Sequence, residues 1–413
     1  MASTGYAHHF SDGNVPFGIA SSKIYAKPQA ATRLGDDVVF LDSLASRGLF
    51  SSVHGLPSDV FQHDTLNEFA KLPRAIHSAV RETIRKVFRE GGMNAFGSHG
   101  VERADQVTMY LPVHTGDFTD FSCSLAHVQN AGRIITGKEG APPSFYHFPV
   151  GYQGRASSIV VSGTDVERPK GQYRARGATT ENGVVCGPSV ALDYELEFAA
   201  IIGKPLPMRQ RLTAVDAAEH IFGFVLLNDW SARDIQAFEM VPLGPLNGKN
   251  FGTTISPWII TPDALEPFKT SGPVQATDTP AHLEASDTPT YSIDLEVEIL
   301  SNGTSTVTCE SKLHTLYWTV PQMIAHLVTG GCGLRTGDIV ATGTVSGFEK
   351  GTHGCLLETT EGGKIPLQLT DGTTRTYLQD EDVVIMTAMA GGKSSGVGFG
   401  ECAGKILASK PAM

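Results

Sequence analysis

Two glutamates, Glu195 and Glu197, stand two residues apart in the stretch Leu192-Asp193-Tyr194-Glu195-Leu196-Glu197-Phe198. This period of two suits a β-strand. Side chains two apart along a strand share a face, with Cα atoms roughly 6.5–7 Å apart. Tyr194, Leu196 and Phe198 then fill the opposite, apolar face, so the strand is half core and half acid. Two carboxylates this close repel unless a cation or a shared proton lies between them. Oxygen-only ligand sets suit hard divalent ions such as Mg²⁺ or Ca²⁺.

Taken alone, the segment favours a plainer reading, a strand with a solvated, charged outer face. Its company changes the balance. Asp229 closes Val225-Leu226-Leu227-Asn228-Asp229-Trp230, at the polar end of an apolar run that begins at Ile221. Asp120 lies among aromatics in Gly116-Asp117-Phe118-Thr119-Asp120-Phe121, with His127 seven residues on. Carboxylates at the ends of buried strands are costly unless paired or metal-bound. The three segments together predict one oxygen-rich metal site.

The composition is that of an ordinary soluble globular protein. The chain has 413 residues, 41% hydrophobic and 18% charged, enough for two or more domains with a sizeable core. A formal net charge of −11 argues against a nucleic-acid or anionic-membrane surface. No run of about 20 apolar residues suggests a membrane span. Residues 1–16 are polar and lack a signal-peptide core, and the final tripeptide is not Ser-Lys-Leu. The six cysteines form no C-x-x-C pair and fit reduced, mostly buried thiols, so the expected location is the cytoplasm.

Along the chain, residues 1–115 read as a separate N-terminal unit. It pairs short β-like pieces such as Val38-Val39-Phe40-Leu41 with a helix over 72–90, whose Ile76, Val80, Ile84, Val87 and Phe88 form one apolar stripe. From 116 to 413 glycine and proline punctuate short strands rich in Val, Ile, Thr and Phe. Ile293, Leu295, Val297 and Ile299 share one face of a strand over 292–300, residues 321–328 suit a short helix, and Val383–Ala390 suits a late strand. Residues 262–289 read as an irregular excursion. The fold class is mainly β (α+β), with a large glycine-rich β-roll or barrel.

Other catalytic templates fail: there is no G-x-S-x-G elbow, Walker A loop or H-E-x-x-H. Gly398-Phe399-Gly400-Glu401-Cys402-Ala403-Gly404 loosely echoes a dinucleotide loop but lacks the βαβ context, so close strand packing is the better reading. The segments that do match something are Asp120-Phe121 with His127, Pro149-Val150-Gly151-Tyr152-Gln153-Gly154-Arg155, Glu195-Leu196-Glu197 and Asn228-Asp229-Trp230-Ser231-Ala232-Arg233-Asp234. Gly248-Lys249, Ala341-Thr342-Gly343-Thr344 and Leu357-Glu358 follow in order. With these the chain resembles the fumarylacetoacetate hydrolase family. The resemblance implies a small SH3-like domain before a β-roll catalytic domain, and a homodimer.

It also implies chemistry, the hydrolysis of a carbon–carbon bond in a β-diketone. By this resemblance Asp120, Glu195, Glu197 and Asp229, with Lys249 and Thr253 beside them, hold Mg²⁺ or Ca²⁺, which polarises the diketone oxygens. His127, held by Glu358, deprotonates the attacking water. Arg233, Gln236 and Lys249 stabilise the oxyanion. A salt bridge from Arg233 to Asp234 is the ordinary alternative for that arginine.

Tyr152 and Thr344 keep substrate-facing positions of the resemblance, but three others depart from it. Ser122 stands where the eukaryotic tyrosine-catabolic members have tyrosine, Thr136 replaces an arginine that grips a substrate carboxylate, and Met240 replaces a further tyrosine. Losing a carboxylate partner removes charge-assisted hydrogen bonds of about 1.5–3 kcal/mol each. Arg133 is a candidate for supplying that charge from a shifted position. The expected substrate is a diketo acid, by default fumarylacetoacetate, cleaved to fumarate and acetoacetate at the end of tyrosine and phenylalanine catabolism. The alternatives are a divergent paralogue for another diketone, a decarboxylase or keto–enol tautomerase on the same metal site, and a non-catalytic scaffold. The His127 and Glu358 pair favours hydrolysis.

Overall fold

The computed structural model describes residues 4–97, 99–175, 183–287 and 289–411. Its N-terminal part is a five-stranded antiparallel sheet. The strands lie side by side as Val101–Arg103, Asp37–Phe40, Gln29–Leu34, Gly18–Ser22 and Val107–Tyr110. The expected helix runs Arg74–Gly91, starting directly after Pro73. Its buried stripe is less apolar than its spacing suggests, for His77 and Arg81 are buried beside Val80 and Ile84. Arg81 is satisfied by the carbonyls of Asn14 and Gly13, so the helix is tied to the chain start by a charged side chain.

The larger part is built on two sheets. One has seven strands in the order Val150–Gly154, Phe118–Ser122, Ile339–Ala341, Leu196–Ile202, Ile221–Asp229, Thr253–Ile255 and Ile159–Val161. It is mixed, with parallel pairs at Ile339↔Phe118 and Thr253↔Ile159. The other sheet orders Thr304–Lys312, Ile293–Ser301, Val383–Ala390, Gly398–Leu407 and Val166–Glu167. Leu196, Phe198, Ala200 and Ile202 turn toward that second sheet and join Leu295, Val297, Met386 and Phe399 in one core. Ala199 and Ile201, on the other face, pack with Phe17, Ile19 and Phe69.

The N-terminal unit therefore does not close a core of its own. Phe17 stacks on Phe222 and packs edge-on to Phe69, and its backbone bridges Ile259. Arg74 and Ser78 both donate to Asp263 across the same seam. The unit covers the apolar stretch of the face whose far end carries the acids.

The glycines of 398–404 serve close packing. A Cβ at Gly404 would sit 2.6 Å from the Trp230 ring, and one at Gly398 would sit 2.4 Å from His9 and Met389. Trp230 is fully buried, and its Nε1 donates to Thr254 Oγ1 at 2.8 Å. Burying an aromatic side chain of about 200 Å² at about 25 cal/mol/Å² contributes roughly 5 kcal/mol at most. That anchor fixes the backbone next to Asp229.

The expected irregular excursion is broken, over 262–287, by a short Pro262–Leu265 helix, the 3₁₀ turns Glu266–Phe268 and Ala281–Leu283, and a Lys269–Thr270 strand that pairs with Thr290–Tyr291. A Val320–Leu327 helix, opened by a Thr319/Gln322 capping box, and the Val383–Ala390 strand stand where the sequence places them. Among the described residues no helix is long and apolar enough to cross a membrane.

Candidate metal centre and hydrolytic site

Strand register assembles the acids. Directly paired residues share a face, and so do residues two apart on one strand. Tyr152 pairs with Asp120, Asp120 with Ala341, and Ala341 with Ala199, two residues along from Glu197. Glu197 pairs with Leu227, two residues before Asp229, which pairs with Thr253. Tyr152, Asp120, Glu197, Asp229 and Thr253 thus lie on one face by topology alone.

Glu195 joins them by a different route. The strand expected through 192–198 is interrupted at Tyr194 and Glu195, with Leu192–Asp193 pairing instead with Ser231–Ala232. The break has a local cause. Asp193 accepts from the backbone N–H groups of Tyr194, Leu356 and Leu357, and the Glu195 N–H is taken by Asn228 Oδ1. The solvated outer face is excluded as well, because Glu195 is 5% and Glu197 0% exposed.

Oxygens of Asp120, Glu195, Glu197 and Asp229 lie within 4.8 Å of one another. Two buried cations face them. Lys249 Nζ donates to Glu195 and, at 2.7 Å, to Asp229 Oδ2. Arg233 donates to Glu195 Oε1 at 2.7 Å, to Asp193 Oδ2 at 2.9 Å and to Gln236 Oε1 at 3.2 Å. The partner of Arg233 is therefore not Asp234, which accepts from Ser189 and Val190.

Five buried acids against Lys249 and Arg233 leave three negative charges unbalanced when all are ionised. Burial, followed by the neighbouring carboxylates, pushes the Asp120 and Glu197 carboxyls well above their ordinary range. Burial also raises Asp229, against the pull of Lys249. Glu195 goes the other way, since Lys249 and Arg233 outweigh its burial. Asp120 Oδ1 and Glu197 Oε1 are buried with no hydrogen-bond partner. Two orphaned carboxylate oxygens in an all-oxygen cluster fit a hard divalent cation.

This has a measurable consequence. Without a cation, Asp120 and Glu197 keep protons in the folded state that the unfolded chain releases, so stability falls as pH rises from the ordinary carboxylate range toward their raised values. A cation replaces those protons. The melting-temperature gap between Mg²⁺-saturated and EDTA-treated protein should therefore widen with pH across that window. A gap that is absent, or that narrows as pH rises, would mean no ion binds at these oxygens.

His127 stands in the first turn of the Leu125–Thr136 helix, where the Ser124 hydroxyl caps its backbone N–H at 3.1 Å. Its Nδ1 lies 2.7 Å from Glu358 Oε2. That contact assigns the Nδ1 proton and leaves Nε2 as the free base. Glu358 is held by more than its histidine. Ser346 Oγ (2.7 Å) and Cys355 Sγ (3.2 Å) donate to the same oxygen, and Asn130 Nδ2 (3.0 Å) donates to the other. Burial opposes its ionisation, but His127, Ser346 and Asn130 bring its pKa down to about 2. The dyad and the acid cluster are joined through Asp193, which accepts from the N–H groups of Leu356 and Leu357 next to Glu358 and from Arg233, the same arginine that holds Glu195.

Of the remaining expected residues, Tyr152 donates to Asp229 Oδ2 at 2.8 Å and Thr253 to Asp229 Oδ1 at 3.1 Å. Thr344 is buried with its hydroxyl unpartnered, and so is Arg233 Nη2. Gln236 packs against Gly248, where a Cβ would come within 2.7 Å of its backbone. Ser122 ends the strand that carries Asp120. Thr136 and Met240 stand apart, at the exposed C-terminal ends of their helices. Nine helical residues place Thr136 about 13 Å along the axis from His127, and its hydroxyl donates back to Gly132. Arg133 does not replace the missing charge, because it forms a bidentate pair with Glu361 at 2.9 Å for both bonds. Sequence reasoning passed over Asp193, Asn130, Ser346 and Cys355. Only Asp193 carried a signal, being two residues before Glu195 in the same alternation.

Comparison with known proteins agrees over the whole length. Residues 117–406 match the family model described as fumarylacetoacetate hydrolase C-terminal, and residues 13–112 match fumarylacetoacetase N-terminal. The chain is 44% identical to a fumarylacetoacetase of Aspergillus fumigatus over 413 residues, covering 96% of both chains. It is 41% identical to the Arabidopsis thaliana fumarylacetoacetase, covering 98% of both, and 40% identical to that of Bos taurus, covering 95% of both. A solved fumarylacetoacetate hydrolase from Exiguobacterium antarcticum shares the fold, with a TM-score of 0.51 at 19% identity over 95% of this chain and 99% of that one.

Proposed function

The chain belongs to the fumarylacetoacetate hydrolase family, and on that premise we propose that it is a fumarylacetoacetase, a hydrolase that cleaves a carbon–carbon bond of a β-diketo acid at the site built around His127 and the four acids. The observation that carries the reading is the His127–Glu358 pair, 2.7 Å apart and linked through Asp193 and Arg233 to the acid cluster. A tautomerase or decarboxylase has no need of a water-activating base.

Asp120, Glu195, Glu197 and Asp229 are the residues that would hold Mg²⁺ or Ca²⁺, with Thr253 and Lys249 fixing two of their carboxylates. When bound, the ion would polarise the diketone oxygens as a Lewis acid. The chain's own groups do the rest. His127 Nε2 takes a proton from water as its oxygen attacks one carbonyl carbon, and Glu358 stabilises the resulting imidazolium. Arg233 Nη2, unpartnered in the structure, the third Lys249 proton and the Gln236 amide donate to the developing oxyanion. As the carbon–carbon bond breaks, the attacked carbon becomes a carboxyl group and the departing carbon collects the proton that His127 carries.

Family membership also supports a homodimer and a catalytic domain beginning after residue 115. Six free cysteines support a reducing, cytoplasmic setting. Loss of fumarylacetoacetate absorbance, dependent on Mg²⁺ or Ca²⁺ and abolished by EDTA, tests the assignment. Metal-independent turnover, or release of carbon dioxide in place of two acids, would overturn it.

Thr136, Met240 and the engaged Arg133 favour a second reading for specificity, a preference for a less anionic or bulkier diketone. Absence of one charge-assisted carboxylate contact should cost roughly tenfold or more in kcat/KM for fumarylacetoacetate, at about 1.4 kcal/mol per decade. The double variant Thr136→Arg with Ser122→Tyr should raise that value and leave neutral diketones unaffected. If wild type is already as fast on fumarylacetoacetate as on any neutral diketone, the preference is refuted.

A further inference from the structure

The catalytic dyad has a third neighbour of a different chemical kind. Cys355 is fully buried, and its Sγ lies 3.2 Å from the same Glu358 oxygen that receives His127 Nδ1. One ligand-capable atom from each of His127, Cys355 and Glu358 lies within 4.8 Å of the other two. This group shares no residue with the four-acid cluster. Thiolate and imidazole select zinc and its relatives, whereas carboxylates select hard ions such as Mg²⁺ and Ca²⁺.

We propose that the chain carries a second, inhibitory metal site in which a borderline-soft divalent ion, zinc above all, binds His127, Cys355 and Glu358 and stops hydrolysis. The inhibition rests on His127 being the general base; the site itself does not. The existing contacts already converge as ligands would. Zinc bonds to S, N and O measure about 2.3, 2.0 and 2.0–2.2 Å, which sets tetrahedral ligands roughly 3.3–3.6 Å apart. The present separations of 2.7 and 3.2 Å are hydrogen bonds, and small outward shifts turn them into that spacing.

Charge and protons balance. The ion replaces the protons that bridge these atoms. The Cys355 thiol proton leaves to solvent, and the Nδ1 proton is exchanged for one on Nε2 as the tautomer changes. One thiolate, one carboxylate and a neutral imidazole then neutralise the ion. His127 keeps its ring but loses its basic lone pair, since Nδ1 is ligated and Nε2 protonated. Water or the Ser346 hydroxyl, 2.7 Å from Glu358 Oε2, is placed to complete four-coordination. Entry is from the His127 side, because its side chain is 12% exposed and that of Glu358 is closed off.

The test uses full-length protein saturated with Mg²⁺, with the exposed Cys186 and Cys332 changed to serine. Titration with Co²⁺ should raise a thiolate-to-cobalt charge-transfer band that saturates near one equivalent, with turnover falling in step. Zn²⁺ should then abolish the band. Cys355→Ser should lose the band and need at least about tenfold more Zn²⁺ for half-inhibition of its own zinc-free rate. Cys355→Ala repeats the spectroscopic test should the serine variant misfold. Glu197→Gln, which alters only the four-acid cluster, should keep the band. Absence of the band in the starting protein, or its persistence in both Cys355 variants, overturns the site whatever happens to turnover. A band without loss of turnover overturns the inhibition and places the fault in the role given to His127.

Discussion

Replacing His127 by alanine should lower kcat by about 10²–10⁴-fold and leave Mg²⁺ or Ca²⁺ affinity at the four acids unchanged. The two effects separate because His127 supplies none of the four clustered carboxylates. Glu358→Gln should lose less. Three donors converge on Glu358 Oε2, and one, Asn130, approaches Oε1. A glutamine can turn its carbonyl to the three and its amide to Asn130, whose own amide then turns to present its oxygen. It then still orients the imidazole but no longer offsets its charge after proton transfer. The Glu358 carboxyl, at about 2, contributes stability that is complete above its ordinary value and lost progressively as pH falls from there through about 2. Acid inactivation therefore begins at Asp120 and Glu197, where protons compete with the cation. Steady-state rates and metal titrations on both variants decide the matter. Near-normal turnover by His127→Ala would remove the hydrolytic mechanism and favour a tautomerase or decarboxylase.

The site was legible in the sequence to the extent that strand periodicity wrote it there. Glu195 and Glu197 stood out because a period of two admits one structure, and Asp229 because an apolar run ended on a charge. The family resemblance then gave each of these residues a role and drew in His127 and Glu358. What stayed hidden depends on partners far along the chain. The strand break before Glu195 is made by Asp193 reaching the N–H groups of Leu356 and Leu357, more than 160 residues away. Arg133 looked free in sequence because Glu361, its partner, lies 228 residues on. Cys355 looked like one more buried thiol until folding set it beside Glu358. The N-terminal helix shows the same limit: its spacing marked a packing stripe, yet Arg81 is part of that stripe because the carbonyls of Gly13 and Asn14 receive it.

Lys249→Met should destabilise the EDTA-treated protein by about 3–5 kcal/mol, the range for breaking a buried ion pair by removing one partner. Methionine nearly preserves the volume, so the loss reports charge and not a cavity. The Lys249 ammonium holds Glu195 and Asp229 together, and its burial would oppose its charge were it not for those two carboxylates. Without it, carboxylates already short of positive charge must either take up protons or repel. A divalent cation bound at the same cluster supplies the missing charge, so Mg²⁺ or Ca²⁺ should recover more stability in Lys249→Met than it adds to wild type. Turnover should not return with it, because a cation bound by four acids does not replace the ammonium proton that faces the oxyanion. Urea unfolding with and without the ion, with the denaturant slope compared between proteins, separates these terms. If Mg²⁺ or Ca²⁺ adds no stability to Lys249→Met or to wild type, the acids hold only protons and no cation binds among them. The cluster would then be a hydrogen-bonded core feature, and the metal centre would have to be given up.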